Sequence, residues 1–224
     1  MGLFNFFFGS SNVLGTPFHD FVISTSGDDS IGTWSGRDFV ISGKGDDSIS
    51  PGSYGTFPLI DDNDFVIAGD GNDFVQSGDD QDFVFGGKGE DSIAGGEGND
   101  FLFGGDDNDF IRADEGNDFI FGGNGNDIIF GDQGADIITG GSGADSFYYE
   151  HINESNAFAS DLIKDFEQGV DVIDVSFLSP WGINDFSDVT VSNNGANTII
   201  EANNSNFEIE LAGVYNITGS DFVF

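Results

Sequence analysis

The sequence predicts an all-β fold made of many short strands joined by tight turns. Three observations predict it: aspartate recurs every nine residues through most of the chain, an apolar residue stands two positions after each of these aspartates, and glycine-rich segments separate the copies. A three-residue strand whose middle side chain points inward explains the apolar position, because side chains alternate between the two faces of a strand. The residues before each strand have the composition of turns, with glycine where a positive φ is needed.

The repeats form two blocks, each in phase within itself. The first block is marked by Asp20, Asp29, Asp38 and Asp47, and the second by Asp64, Asp73, Asp82, Asp91, Asp100, Asp109, Asp118, Asp127, Asp136 and Asp145. The apolar residues two positions later are Val22, Ile31, Val40, Ile49, Val66, Val75, Val84, Ile93, Leu102, Ile111, Ile120, Ile129, Ile138 and Phe147. Asp47 and Asp64 are 17 residues apart, which is one repeat of nine residues plus eight more. Residues 51–58 are therefore predicted to be a loop inserted between two repeats.

The charge balance excludes several classes of partner. The chain of 224 residues has 41 acidic residues against 5 Lys and Arg, a formal net charge of −36, so nucleic acid and anionic membrane surfaces would repel it. Its 26 phenylalanines argue against the disorder that such acidity otherwise predicts. Cysteine is absent, so a stabilising ion would need oxygen ligands. The sequence predicts no transmembrane segment, and its start lacks the features of a cleaved secretory signal.

The clearest repeats carry a known pattern. Each reads Gly-Gly-x-Gly-x-Asp, and they are Gly86–Asp91, Gly95–Asp100, Gly122–Asp127 and Gly140–Asp145. These segments resemble the GGxGxDxUx nonapeptide (U, a large apolar residue) of the RTX, or repeats-in-toxin, family, and the resemblance covers roughly residues 15–150. It implies a right-handed parallel β-roll, a β-solenoid with about 18 residues per coil, that binds calcium in its turns.

The residues after the repeats resemble the same family. Asp161–Ser176 is similar to the segment after the roll in serralysin-type secreted proteins, and Gly219–Phe224 is similar to the C-terminal signal read by type I secretion systems. The resemblance implies a secreted, extracellular or cell-surface protein of a Gram-negative bacterium, with the type I secretion apparatus as a partner. We therefore expect an N-terminal cap or association segment at 1–18, the calcium-binding β-roll at 19–150, and a β-rich C-terminal cap and secretion signal at 151–224. Strands of this cap are expected at 170–177, 189–191, 198–201 and 207–211.

Stacking of alternate repeats would arrange the aspartates in two columns. One column is Asp20, Asp38, Asp64, Asp82, Asp100, Asp118 and Asp136, and the other is Asp29, Asp47, Asp73, Asp91, Asp109, Asp127 and Asp145. Carboxylates repeated at the strand spacing of ~4.8 Å would repel one another, and a hard divalent cation between coils would relieve this with carboxylate and carbonyl ligands. Aspartate is also a common turn residue, but the strict period and the glycine positions favour Ca²⁺ ligation.

The predicted sites differ in quality along the columns. The loops ending at Asp20 and Asp64 lack the usual glycines, and the steps across the insertion, from Asp38 to Asp64 and from Asp47 to Asp73, are the weakest. We expect about eight to ten Ca²⁺ ions. Since metal binding becomes folding free energy in a chain that cannot fold alone, the roll is expected to fold in the millimolar calcium outside the cell.

The two outer faces of the predicted roll differ. One face, here called the Phe/Ile face, carries Phe21/Ile23, Phe39/Ile41, Phe65/Ile67, Phe83/Phe85, Phe101/Phe103, Phe119/Phe121 and Ile137/Thr139. The opposite face is mixed in polarity. An exposed patch on the order of 1,000 Å² would exceed what soluble monomers usually show. Its phenylalanines are therefore candidate interface residues, unless a terminal segment covers them: Phe21, Phe39, Phe65, Phe83, Phe85, Phe101, Phe103, Phe119 and Phe121.

The sequence contains no recognisable catalytic motif. Its two histidines, His19 and His151, are outside any H-E-x-x-H, and G-x-S-x-G and P-loop patterns are absent, so we expect a protein that is not an enzyme. The leading hypothesis is a secreted structural protein that self-assembles through the Phe/Ile face or the roll ends, as a surface-layer, matrix or fibre subunit. Two alternatives stay open: a module that binds a lipid, polysaccharide or hydrophobic surface, and the secretion and folding tail of an enzyme.

Overall fold

The chain is described by a computed structural model that covers residues 6–7, 12–16, 18–33, 36–50, 63–156, 159–203 and 205–224. The insertion predicted at 51–58 lies outside these described residues, and so does much of the N-terminal segment predicted at 1–18.

Short strands dominate the described residues. In chain order they are β1 (Phe6–Phe7), β2 (Val13–Leu14), β3 (Phe21–Ile23), β4 (Ser30–Gly32), β5 (Phe39–Lys44), β6 (Ser48–Ser50), β7 (Phe65–Asp70), β8 (Phe74–Asp79), β9 (Phe83–Lys88), β10 (Ser92–Glu97), β11 (Phe101–Asp106), β12 (Phe110–Glu115), β13 (Phe119–Asn124), β14 (Ile128–Phe130), β15 (Ile137–Ser142), β16 (Ser146–Tyr148), β17 (Asp161–Ile163), β18 (Val172–Asp174), β19 (Val189–Asn193), β20 (Asn197–Ala202), β21 (Glu208–Ala212) and β22 (Phe222–Val223). Short 3-10 helices occupy Ser176–Trp181, Phe186–Asp188 and Gly219–Asp221.

The strands form two sheets between which the chain alternates. The first sheet has the order β1-β3-β5-β7-β9-β11-β13-β15-β17-β21-β20-β19, and the second has the order β2-β4-β6-β8-β10-β12-β14-β16-β18-β22. Pairing through the repeats is parallel and joins residues 18 apart, as in Phe83↔Phe101 and Ser92↔Phe110. The prediction of an all-β fold is confirmed, and the architecture is a parallel β-solenoid with two nine-residue repeats in each coil.

The core lies between the two sheets. The apolar residue two positions after each repeat aspartate is buried in every repeat, with Val22 and Ile120 fully buried and Ile31 the most exposed at 2%. This follows from the alternation of side chains along a strand, and it confirms the predicted inward positions.

The insertion does not change which sheet a repeat joins. β5 pairs with β7 through Phe39↔Phe65, and β6 pairs with β8 through Ser48↔Phe74, although each pair is separated by 26 residues instead of 18. The aspartate columns and the Phe/Ile face can therefore continue past the insertion.

The residues after the repeats extend both sheets. β17 and β18 pair in parallel with β15 and β16, and β21 and β22 pair in parallel with β17 and β18. β20 and β19 then add antiparallel strands to the first sheet. The strand expected at 170–177 was partly wrong, because only Val172–Asp174 is a strand and Pro180 lies in the 3-10 helix that follows. At the other end, β1 and β2 pair with β3 and β4, so the described part of the N-terminal segment adds strands to the roll.

None of the helices in the described ranges is long and apolar enough to cross a bilayer.

Candidate metal centre

Each aspartate column is a continuous ladder of hydrogen bonds. The backbone N–H of one aspartate donates to Oδ1 of the aspartate one coil further on, and the N···O distances within the repeats are 2.7 to 3.0 Å. The structure thus brings the predicted site residues together in the two predicted columns. The side chains are 4% exposed or less.

The second carboxylate oxygen is buried without a partner in most of the ladder. Among the described residues, Oδ2 accepts no hydrogen bond in Asp73, Asp91, Asp100, Asp109, Asp118, Asp127 and Asp136. A buried charge without a partner costs several kcal/mol, so these atoms require either a proton or a cation.

In seven described turns the residue five positions before the aspartate is a glycine that lies directly beside Oδ2, and the other described turns carry serine, threonine or alanine there. A Cβ on Gly86 would lie 2.4 Å from Asp91 Oδ2 and 2.6 Å from the carbonyl oxygen of Gly104 in the next coil. The same convergence occurs at Gly95, where Asp100 Oδ2 and the carbonyl oxygen of Ala113 lie 2.5 and 2.7 Å from that point. Oxygens from successive coils therefore meet at one place in the turn.

The donor set fits a hard cation. The described residues contain no group of three or more His, Asp or Glu side chains arranged around one point, so carbonyl oxygens would complete the ligation. Single carboxylates combined with backbone carbonyls are ligands that Ca²⁺ accepts in a flexible, oxygen-only shell. Mg²⁺ would require a near-ideal octahedron.

Burial strongly affects the acidity of the ladder. Desolvation, opposed in part by the backbone hydrogen bond, raises the pKa of Asp82, Asp109 and Asp118 to about 8. The same cause raises the pKa of Asp91 and Asp100 to about 7. Without a cation, the columns would hold protons close to neutral pH.

The weak steps expected at the insertion have the same geometry as the others. Asp38 donates to Asp64 at 2.7 Å and Asp47 donates to Asp73 at 2.8 Å. The first coil is different, because the backbone N–H of Thr16 donates to Asp20 Oδ2 at 2.6 Å. Ser24 Oγ likewise donates to Asp29 Oδ2.

Two ladder residues were missed by the nine-residue period. Asp136 donates to Asp161 Oδ1 at 2.9 Å and Asp145 donates to Asp171 Oδ1 at 3.0 Å, which extends each column by one step. Burial raises the pKa of both Asp136 and Asp161. The missed signal is the buried apolar residue two positions later, Ile163 after Asp161 and Ile173 after Asp171.

The Phe/Ile face lies on the first sheet, as its alternation predicts. Its rings stack along the columns, with centroids 4.9 Å apart for Phe21–Phe39 and 4.5 Å apart for Phe83–Phe101, at interplanar angles of 3° and 2°. The rings are half-buried by this stacking, and Phe121 is the most exposed at 39%. Other neighbours are tilted, with interplanar angles of 32° for Phe101–Phe119 and 43° for Phe103–Phe121, so the stacking is not continuous.

Comparisons with known proteins agree with this geometry. The family model for the RTX calcium-binding nonapeptide repeat matches in four copies, at residues 14–49, 60–93, 85–120 and 112–147. The protein is thus a calcium-binding β-solenoid of the β-roll class. It belongs to the RTX calcium-binding nonapeptide repeat family, whose repeats bind Ca²⁺ and are typical of secreted proteins.

Several solved structures are similar. The AlgE6R3 subunit of the Azotobacter vinelandii mannuronan C5-epimerase is 30% identical, over 65% of this chain and 79% of that one, with a TM-score of 0.44. The AlgE6R2 subunit of the same epimerase is 26% identical, over 66% and 91%, with a TM-score of 0.42. The extracellular lipase LipA from Serratia marcescens is 14% identical, over 92% of this chain and 40% of the lipase, with a TM-score of 0.32. A comparison with curated proteins found no match.

Proposed function

We propose that this chain is a secreted, non-catalytic structural protein whose roll folds when Ca²⁺ fills the aspartate columns and which then self-associates through the Phe/Ile face. The observation that carries the proposal is the row of buried Oδ2 atoms that have no hydrogen-bond partner. A folded chain with this many unpaired buried carboxylates would be unstable unless cations or protons neutralise them.

The residues proposed to hold the ions are the aspartates of the two columns. They are Asp20, Asp29, Asp38, Asp47, Asp64, Asp73, Asp82, Asp91, Asp100, Asp109, Asp118, Asp127, Asp136 and Asp145, with Asp161 as an added member. When bound, Ca²⁺ supplies the positive charge that offsets repulsion between successive carboxylates.

The chain prepares each site through its own backbone. From Asp38 and Asp47 onward, Oδ1 of the column aspartates accepts a backbone N–H, as Asp100 Oδ1 does from Asp82, and this bond fixes the position of the carboxylate. Beside Gly86, Asp91 Oδ2 and the carbonyl oxygen of Gly104 in the next coil lie close to the same point. Because these groups are assembled only when coils stack, ion binding and folding are coupled.

The unbroken ladder across the insertion supports about ten ions. Ten divalent ions would reduce the formal charge from −36 to −16, which keeps the folded protein soluble while removing much of its internal repulsion. The calcium-poor cytosol would leave the chain expanded for the type I secretion apparatus, and the outside medium would fold it.

Both histidines have structural partners, which supports a non-catalytic role. His19 Nδ1 accepts the backbone N–H of Arg37 at 2.8 Å, and His151 Nδ1 accepts that of Asn153 at 3.2 Å. Each histidine thus serves as a turn acceptor.

Far-ultraviolet circular dichroism during a calcium titration tests the folding step, with magnesium at the same concentrations as the control. We expect a cooperative gain of β-structure with Ca²⁺ that chelator reverses, and little change with Mg²⁺. Equal β-structure in chelator and in calcium would contradict the proposal.

The Phe/Ile face supports self-association over glycan binding. Sugar-binding platforms need exposed ring faces, whereas stacking in the pairs Phe21–Phe39, Phe83–Phe101 and Phe85–Phe103 covers one face of each ring. Replacing Phe83, Phe101 and Phe119 with Ser should abolish association, measured by light scattering, while leaving the calcium-induced dichroism change. Phe110→Ser on the opposite sheet is the control, since its ring is also exposed. Association that survives the triple change would rule out this face.

A further inference from the structure

The residues at the strand ends of the Phe/Ile face carry less negative charge than those at the strand ends of the opposite sheet. Before the strands of the face stand His19, Arg37, Asn63, Gln81, Asn99 and Asn117, with no acidic residue among them. The strands β5, β7, β9 and β11 end in Lys44, Asp70, Lys88 and Asp106, which sum to zero charge. The corresponding positions of the second sheet include Asp28, Asp46, Glu90, Asp79, Glu97 and Glu115. In a chain of net charge −36, another copy therefore meets less repulsion at this face than at the opposite sheet.

The order of residues along the face is self-complementary about one point. Reading from β3 to β13, the second outward column has three isoleucines followed by three phenylalanines, Ile23, Ile41, Ile67, Phe85, Phe103 and Phe121. The residues at the strand ends, Lys44, Asp70, Lys88 and Asp106, form a rim whose charges alternate between positive and negative. Within one copy, Asp70 forms ion pairs with Lys44 and with Lys88, the latter at 3.1 Å. When the order of strands is reversed about the midpoint between β7 and β9, each isoleucine of the second column exchanges places with a phenylalanine. Each lysine of the rim likewise exchanges places with an aspartate.

We propose that two copies of this chain pair through the Phe/Ile face in an antiparallel arrangement, with a twofold axis between β7 and β9. This rests on the self-association in the proposed function and adds its geometry. The twofold axis places each isoleucine of the second column against a phenylalanine of the second copy, for example Ile67 against Phe85 of the second copy. It also places Lys88 against Asp70 of the second copy and Lys44 against Asp106 of the second copy. An interface of this kind is isologous, because the same patch serves both partners.

A parallel face-to-face pair fits less well. It would place the Lys44 rim against the rim that carries Arg37, so like charges would meet at the interface. It would also set phenylalanine against isoleucine at one end of the strip and phenylalanine against phenylalanine at the other. The two sheets would then be wedged apart at one end, whereas the antiparallel pair has the same thickness at both ends.

The strip is modest in size. Six coils at ~4.8 Å each and two side-chain columns ~7 Å apart would bury on the order of 1,000 Å² in total, at the small end of specific interfaces. The dimer is therefore expected to be reversible and concentration-dependent. The same stacking requires folded coils, so it should form only in calcium.

Distances between spin labels test the orientation, because the chain contains no cysteine and accepts single labelled sites. Labels at Asn124 and at Ser142, both exposed coil ends, lie progressively further from the proposed axis. In calcium, the separation between copies should be about 24 Å for Asn124→Cys and about 34 Å for Ser142→Cys, from the coil spacing. Equal separations at the two sites would overturn the antiparallel arrangement while leaving self-association intact. A monomer in calcium, with no coupling between labels, would overturn both.

A charge exchange on the rim gives a second test. The fourfold variant Lys44→Asp, Asp70→Lys, Lys88→Asp and Asp106→Lys keeps the alternation within each copy and keeps complementarity between two variant copies. It opposes like charges when a variant copy meets an unchanged copy. We expect each protein to dimerise alone. In an equal mixture, random pairing would make half of the dimers mixed, and we expect the mixed fraction to be about tenfold lower, measured by fluorescence transfer between differently labelled copies. Statistical mixing would overturn the proposal.

Discussion

From the second coil onward, the aspartates of the columns use their two carboxylate oxygens differently. Oδ1 holds the backbone of the preceding coil, as Asp100 does for Asp82 at 2.8 Å, and Oδ2 stays buried beside the turn. An amide in place of the carboxylate can still accept through Oδ1 but brings no negative charge. The backbone role and the proposed ion-binding role can therefore be separated by a single substitution.

Asp100→Asn should raise the calcium concentration at half-folding by roughly an order of magnitude, because one anionic ligand is lost while the ladder acceptor remains. Circular dichroism during a calcium titration measures the midpoint. Glu97→Gln removes the same charge from the exposed surface of the same turn and should leave the midpoint nearly unchanged. Equal shifts in the two variants would mean that only overall charge matters.

The pH dependence of the calcium-free chain has a defined sign. Burial in the fold raises the pKa of Asp82 and Asp118 from about 4 to about 8, so the folded state binds more protons than the unfolded state between these values. Stability of the calcium-free roll is therefore present at low pH and lost as the pH rises through this window. In chelator, β-structure measured by circular dichroism should increase as the pH falls from 8 towards 5. A flat profile would show that the columns do not form without calcium at any pH.

The periodic pattern predicted most residues of the hydrogen-bonded ladders but not the last residue of each column. The interval of nine residues predicts the columns from Asp20 to Asp145, because each coil consists of two nine-residue repeats. Asp161 and Asp171 stand 25 and 26 residues after their ladder partners, since irregular segments intervene before β17 and β18. Only the apolar residue two positions later marks them, and that pattern is too common to predict a ligand alone.

At the scale of the turn, the close approach of successive coils depends on glycine. Gly105 has φ +133°, and a Cβ there would lie 2.1 Å from the carbonyl oxygen of Gly87 in the preceding coil. A side chain would both strain the backbone and separate the coils.

Gly105→Ala should destabilise the calcium-bound roll by about 2 kcal/mol or more, measured by urea unfolding in excess calcium. Gly32→Ala is the matched control, because a Cβ at Gly32 would meet only the carbonyl oxygen of Ser50, at 3.8 Å. A loss of stability as large in the control would show that coil contact is not the cause.

The sequence predicts the strand elements of the roll better than those of the cap. In the roll, one strand follows each repeat aspartate. The turn conformation is also regular, because Asp107 adopts the left-handed φ of 80° at a position where other turns have glycine. In the cap the apolar run at 170–177 resembles a longer strand, but it ends after Asp174 where the 3-10 helix begins. Pairing with a distant strand, β22, determines that boundary, and such pairing leaves no periodic signal.

At the scale of the whole molecule, the C-terminal part completes the roll. It supplies Asp161 and Asp171 to the ladders and pairs β17 and β18 with the last repeat strands. Without it, β15 and β16 would become unpaired edges, which repeat proteins need caps to protect.

A chain ending at residue 150 should therefore require several-fold more calcium to fold, or stay unfolded at millimolar calcium. A titration of the truncated chain beside the full chain, followed by circular dichroism, measures this. An unchanged midpoint would show that the repeats fold independently of the residues after them.

We propose that calcium converts an expanded polyanion into a compact roll, and small-angle X-ray scattering measures this change in size. For 224 residues the radius of gyration should be about 50 Å in chelator and close to 20 Å in millimolar calcium, with a modest increase where the copies pair. A compact chain in chelator, unchanged by calcium, would contradict the account.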